Sequence, residues 1–232
     1  LIGTTDIAYE GRPEDVAIDE GEIEYLISAV NRYFKEKLRR QDVLHAFSGV
    51  RPLFDDGKGN PSAVTRDYVF DLDETGGAPL LNVFGGKITT FRELAERSLH
   101  RLQHVFPRMG KDWTESAPLP GGDMPDADYE TFANSLREAW PWMPRALVHH
   151  YGRLYGTRAR HLVGTATDLD GLGRHHGGLL YEAEVRYLVA NEWARTADDI
   201  LLRRTKHYLH LTEAERNAFA AWFEAEYSTY SA

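Results

Sequence analysis

Lys87 stands behind a glycine pair in the run Val83-Phe84-Gly85-Gly86-Lys87-Ile88-Thr89-Thr90-Phe91-Arg92-Glu93. Two glycines allow other groups close to the backbone, and Thr90 and Glu93 have the capping-box spacing that opens a helix. An apolar strand, a glycine turn and a helix start would turn backbone N–H groups and a positive dipole end toward an anion or an electron-rich ring, with an ammonium beside them. The spacing is neither that of a P-loop nor that of GxGxxG, so by itself the turn also reads as a plain connection with its lysine in solvent. Arg51 is the second candidate cation. It ends the run Asp42-Val43-Leu44-His45-Ala46-Phe47-Ser48-Gly49-Val50-Arg51, and Pro52 holds it extended. A guanidinium at the end of an apolar strand seeks a carboxylate or a phosphate, and a structural ion pair is an equal alternative. Arg66, in Val64-Thr65-Arg66-Asp67-Tyr68, is a third cation on the path into the turn.

Other chemistry-bearing residues carry less. Asp55-Asp56-Gly57-Lys58-Gly59-Asn60-Pro61 lacks the carboxylate alternation and closing glutamate of an EF-hand. The pairs His149-His150 and His175-His176 fit no HExxH frame, and neighbouring side chains on a helix point apart, so both pairs read as structural and no metal is expected. His45 reads as an ordinary strand histidine. Gly-x-Ser-x-Gly is absent, and no Ser-His-Asp set stands out. The five tryptophans, Trp113, Trp140, Trp142, Trp193 and Trp222, read as core or interface residues.

The elements that must position these groups follow from periodicity. Leu1 to Asp6 is β-like, and a helix from Asp19 or Glu20 carries Ile23, Leu26, Ile27, Val30, Tyr33, Phe34 and Leu38 as one stripe. Its basic tail, Lys35, Lys37, Arg39 and Arg40, suits the negative end of the helix dipole. The segment 42–53 reads as a strand. Val64 to Leu72 and Leu80 to Phe84 make a hairpin that feeds the turn, and a helix from Thr90 to about Phe106 leaves it. Past residue 110, strand-like alternation stops. Helices are expected over Tyr129 to Trp140, Met143 to Tyr155 continuing into Thr157 to Val163, Tyr181 to Tyr208, and Thr212 to Tyr227, the last with Thr212 and Glu215 at capping-box spacing. The domains so drawn are residues 1–110 and an all-helical 111–232.

The chain of 232 residues is 42% hydrophobic, enough for a real core, and its formal net charge of -9 argues against general nucleic-acid binding. With no cysteine, it has no disulfide, thiolate ligand or cysteine nucleophile. No apolar run approaches the roughly 20 residues of a membrane span. The opening on Leu1, without methionine and in strand-like sequence, reads as a piece of a longer protein. The cluster Arg203-Arg204-Thr205-Lys206-His207 offers itself to an acidic surface or anionic lipid, with solvated ion pairs as the plainer reading.

Ser48-Gly49-Val50-Arg51-Pro52-Leu53, Thr65-Arg66-Asp67-Tyr68 and Phe84-Gly85-Gly86-Lys87-Ile88-Thr89-Thr90-Phe91-Arg92 closely resemble consecutive motifs of the FAD-dependent, quinone-linked glycerol-3-phosphate dehydrogenases. Leu119-Pro120-Gly121-Gly122, Tyr155-Gly156-Thr157, Glu184-Val185-Arg186-Tyr187, Glu192-Trp193-Ala194-Arg195 and Asp198 to Thr205 extend the likeness along the chain. The resemblance implies an α+β fold: the last, antiparallel-sheet part of a flavin and substrate region like those of glutathione reductase and D-amino-acid oxidase, then a helical C-terminal domain. The family's GxGxxG and proposed base belong to a preceding half, so this piece alone is expected to be inactive. Implied with it are oxidation of sn-glycerol 3-phosphate to dihydroxyacetone phosphate, FAD held mostly by that half, electrons passed to a quinone, and a cytoplasmic protein at the inner face of the membrane. Lys87 then lies beside flavin and substrate, and Arg51 holds the substrate's phosphate or hydroxyl end. Arg66 is a weaker substrate contact, and Gly85, Gly86, Lys87, Ile88, Thr89 and Thr90 line the cofactor. The rivals are a related flavin amine or amino-acid oxidase, and a helical module for homodimerisation or peripheral membrane docking.

Overall fold

The computed structural model describes residues 1–54 and 67–227, which divide into two compact units, Leu1–Ser116 and Ala117–Ala232. The described residues are mostly helical with two small antiparallel sheets.

In the first unit, α1 (Glu20–Asn31) opens on a capping box: Asp19 accepts from the Glu22 amide at 2.8 Å and Glu22 from the Asp19 amide at 3.1 Å. It ends well before Leu38. Asn31 grips the Leu38 backbone by both its carbonyl (2.8 Å) and its amide (2.9 Å), and Lys37 donates to the Phe34 carbonyl at 2.9 Å, so the polar tail folds back instead of extending the apolar stripe. Arg40 closes the return with two bonds to Glu20, 2.8 and 2.9 Å. The expected strands at Leu1 to Asp6 and at 42–53 do not form. After a 3-10 turn at Arg40–Asp42, the described residues to Phe54 run without a ladder partner, and alternation without a neighbouring strand makes no sheet.

The hairpin does form. β1 (Tyr68–Asp73) pairs with β2 (Leu80–Gly85), Tyr68 opposite Gly85 and Asp73 opposite Leu80. Its turn begins where Asp73 accepts from both the amide (2.9 Å) and the hydroxyl (2.6 Å) of Thr75. Then α2 (Phe91–Arg101) lies back on β1, with Arg97 5.5 Å and Arg101 5.9 Å above the Phe70 ring and Arg97 paired to Asp67 at 3.2 Å. Among the described residues of this unit, Ile23 is the one buried apolar side chain, while Val83, Phe84, Ile88 and Phe91 around the turn are exposed.

The second unit holds the core. Helices α3 (Tyr129–Ala139), α4 (Arg145–Tyr155), α5 (Ala159–Val163), α6 (Glu182–Asn191) and α7 (Glu213–Tyr227) pack around Leu136, Leu147, Tyr151, Leu172, Leu188, Ile200 and Phe219. Its helices are accompanied by a short hairpin, β3 (His175–Gly177) with β4 (Leu180–Tyr181), which corrects the all-helical expectation. The long helix expected over Tyr181 to Tyr208 is also broken. Trp193 takes φ of 53°, and Asp199 accepts from the amides of Arg195 and Thr196 (both 2.9 Å) to start a π-helical turn, Asp199–Arg204, followed by a 3-10 turn, His207–Leu209. The Thr212–Glu215 box forms as expected, with bonds of 2.8 and 3.3 Å. Trp140 is buried and Trp142 and Trp222 pack on the core, whereas Trp113 and Trp193 are exposed. No helix among the described residues is long and apolar enough to cross a membrane.

Candidate functional site

The register of the hairpin builds the lysine turn. Tyr68 sits opposite Gly85, so its ring covers Gly86 and its hydroxyl donates to the Lys87 carbonyl. A Cβ on Gly86 would lie 2.2 Å from that ring, at φ of 80°, and a Cβ on Gly85 would lie 2.9 Å from the Phe54 amide, at φ of 68°. Both glycines are required by sterics. Gly86→Ala is therefore expected to destabilise the turn by about 2 kcal/mol through strain at positive φ plus displacement of Tyr68; urea unfolding monitored by tyrosine fluorescence checks this.

The Lys87 carbonyl also accepts from the amide (3.1 Å) and hydroxyl (3.0 Å) of Thr90, closing a 3-10 turn over Ile88–Thr90. This corrects the capping-box reading: Thr90 precedes α2 but makes no side-chain cap, because its hydroxyl is spent on Lys87. Lys87, Ile88, Thr89 and Thr90 are all exposed, and the Lys87 ammonium has no partner among the described residues. The backbone of Pro52 to Phe54 passes directly against Gly85, and the Phe54 and Phe84 rings stand 6.0 Å apart, so the segment bearing Arg51 runs alongside the turn. Arg51 is exposed and pairs with Asp6 at 3.0 Å, the structural alternative named for it. Arg66 and the Asp55 to Pro61 loop lie outside the described residues.

A second constellation escaped the sequence reading. Glu184 on α6 is fully buried, and three donors meet its carboxylate: His150 Nε2 of α4 at 2.7 Å and the Tyr155 hydroxyl at 2.6 Å on Oε1, and His207 Nε2 at 3.0 Å on Oε2. Burial works to raise the Glu184 pKa, but the bonds from His150 and His207 win and hold it down at about 2. Tyr155 is pushed far above the usual phenol range by burial and by the adjacent carboxylate, so it remains a donor. His150 thus belongs to a constellation, not merely to an adjacent pair. Its partners come from elements remote in sequence, which no local spacing reveals. His207 and its neighbours are likewise absorbed internally: Arg203 pairs with Asp199 at 2.9 Å, Arg204 donates to the Glu192 carbonyl at 2.8 Å, and Lys206 to the Leu202 and Thr205 carbonyls at 3.1 Å.

His176, of the other pair, packs between Trp222 (centroids 4.1 Å apart) and Phe219 (5.1 Å), and its Nε2 is buried without a partner. Burial first, then Arg174, lowers its pKa to about 4, against a smaller opposing pull from Glu182. A histidine whose folded pKa is depressed binds protons preferentially when unfolded, so its contribution is complete above the unfolded value and is lost as pH falls from about 6.5 toward about 4. His176→Phe is expected to shrink the loss of stability across that window by about 1 kcal/mol, below the full linkage because water screens the edge of the core. Denaturant titrations at several pH values check it.

Residues 113–225 match the family model described as the C-terminal domain of alpha-glycerophosphate oxidase. Over 97% of its length the chain is 80% identical to a D-erythritol 1-phosphate dehydrogenase of Brucella abortus, covering 45% of that protein. It is 45% identical to the aerobic glycerol-3-phosphate dehydrogenase of Escherichia coli over 96% of the chain and 44% of the relative, and 45% identical to a glycerol-3-phosphate dehydrogenase of Pseudomonas aeruginosa over 98% and 44%. The chain therefore spans less than half the length of these relatives and corresponds to their C-terminal part. Residues 113–225 thus belong to the domain family described as the C-terminal domain of alpha-glycerophosphate oxidase.

Proposed function

We propose that the chain is the C-terminal half of an FAD-dependent dehydrogenase that oxidises a carbinol of a phosphorylated polyol, passing the electrons to a quinone. The observation that carries this reading is the exposed Lys87, without a partner among the described residues, on a turn whose two glycines and Tyr68 fix its backbone, with the Arg51 segment alongside. The exposed apolar residues Val83, Phe84, Ile88 and Phe91 suit a flat ring and its supporting domain, and the turn's residues fit one edge of a flavin. Bound there, FAD would supply the hydride acceptor. The chain's own contribution is electrostatic and positional. Lys87 and the N-terminal end of α2 place positive charge where negative charge develops, and Arg51 exchanges Asp6 for the substrate's phosphate, a group that matches its planar fork. Arg66 is an additional anion contact in this reading. The complete protein works at the inner face of the cytoplasmic membrane, where a quinone is within reach.

Within the phosphorylated polyols, the 80% identity to a D-erythritol 1-phosphate dehydrogenase favours the four-carbon substrate over glycerol 3-phosphate, the substrate named for relatives at 45%. In the full-length enzyme, kcat/KM with D-erythritol 1-phosphate is expected to exceed that with glycerol 3-phosphate by about tenfold or more, since one properly satisfied hydroxyl is worth at least that in a built site. Dye-linked assays with both substrates decide it, and a preference for glycerol 3-phosphate would reverse the assignment.

A further inference from the structure

His150, Glu184 and His207 come from three separate elements, α4, α6 and the His207–Leu209 turn, and bring two imidazole nitrogens and a carboxylate within 4.8 Å of one another. Glu184 has no exposure and His207 is 3% exposed, whereas the His150 side chain is 20% exposed, so the cluster reaches solvent past one imidazole. Among the described residues no lysine or arginine pairs with this carboxylate; the two imidazoles and the Tyr155 phenol are its partners. The three donors satisfy the carboxylate by hydrogen bonding, and a bound cation would add the opposite charge that no lysine or arginine among the described residues supplies there.

Two imidazoles and one carboxylate are the donor chemistry of first-row divalent ions, with a position left for water. Donor atoms held tetrahedrally at about 2.0–2.1 Å from one ion stand about 3.3 Å apart. The two nitrogen-to-oxygen separations here, 2.7 and 3.0 Å, are hydrogen-bond contacts, one to each carboxylate oxygen, and the three ligand atoms lie within 4.8 Å of one another, so an ion entering in place of the bonded protons would draw in groups that already converge. The Tyr155 hydroxyl, 2.6 Å from Oε1, is the kind of outer hydrogen bond that orients a ligating carboxylate.

We propose that His150, Glu184 and His207 bind one zinc-class divalent ion, with water completing the coordination at the exposed edge of His150, and that the ion clamps α4, α6 and the His207 turn together. This site lies within the helical unit and does not depend on the polyol-phosphate reading. The test is direct. The chain is stripped with chelator and titrated with Zn2+ and, for its visible spectrum, with Co2+; bound metal is counted by elemental analysis after gel filtration. One ion per chain is expected, with Co2+ bands of a nitrogen and oxygen site and a higher thermal midpoint. His150→Phe and His207→Leu are each expected to weaken binding about 100-fold, since losing even an outer partner of a ligand typically costs about 10–100-fold. If the variants at buried positions do not fold, His150→Gln, at the partly exposed position, decides between the outcomes. Less than stoichiometric binding to the wild type overturns the proposal, as does wild-type affinity in any folded one of these variants, because the ion would then sit elsewhere among the chain's ten histidines.

Discussion

Replacing Glu184 with alanine is expected to cost the helical unit about 3–5 kcal/mol, the largest single effect on stability in the chain. The carboxylate is fully buried and is the acceptor for His150, Tyr155 and His207. Without it, the buried Tyr155 and His207 donors lose their acceptor, and each unsatisfied one costs about 1–3 kcal/mol; the space once filled by the side chain adds a cavity. Glu184→Gln keeps the volume but turns one amide N–H toward a donor, so an intermediate loss is expected. His150→Phe removes one donor at a partly exposed place and should cost far less, on the order of 1 kcal/mol. Urea unfolding of metal-free protein at neutral pH ranks the three. A Glu184→Ala protein as stable as the wild type would show that the constellation contributes nothing to the fold.

The second large effect concerns turnover. In the full-length enzyme, Lys87→Ala is expected to lower kcat by about tenfold or more, which corresponds to about 1.4 kcal/mol of lost transition-state stabilisation. The Lys87 side chain has no role in holding its own turn together: the turn is closed by the residue's carbonyl, which accepts from Tyr68 and Thr90, and by the fit of Gly85 and Gly86. Alanine keeps that carbonyl, so stability should barely change while rate falls. That separation distinguishes a charge acting on the reacting atoms from a structural lysine. Steady-state kinetics beside a thermal melt measure it, and unaltered kcat would remove Lys87 from the reaction.

How much of the molecule is legible in the sequence depends on distance along the chain. Where the partner lies within a few residues, pattern and structure agree: the Asp19–Glu22 and Thr212–Glu215 boxes, the β1–β2 hairpin, and the helices from Tyr129 to Tyr155. They part where a remote partner decides, and also where a nearby polar group bonds a different backbone atom from the one the pattern names. The segment 42–53 alternates like a strand, yet finds no neighbour to pair with among the described residues. The helix expected through Trp193 carries neither glycine nor proline, and its break depends on Asp199 capping the amides of Arg195 and Thr196. Thr90 matches the capping pattern, but its hydroxyl finds the Lys87 carbonyl first. The turn at Gly85-Gly86-Lys87 is visible in the sequence because its chemistry is contiguous. The Glu184 constellation is not, because His150 and His207 are joined only by folding.

Mixing the full-length enzyme anaerobically with substrate, and following the flavin's visible absorbance, is the most direct measurement of what the lysine turn serves. Rapid bleaching by D-erythritol 1-phosphate, absent with unphosphorylated erythritol and slowed by Lys87→Ala, is the predicted result. A colourless protein, or a yellow one whose spectrum neither D-erythritol 1-phosphate nor glycerol 3-phosphate alters, would contradict it.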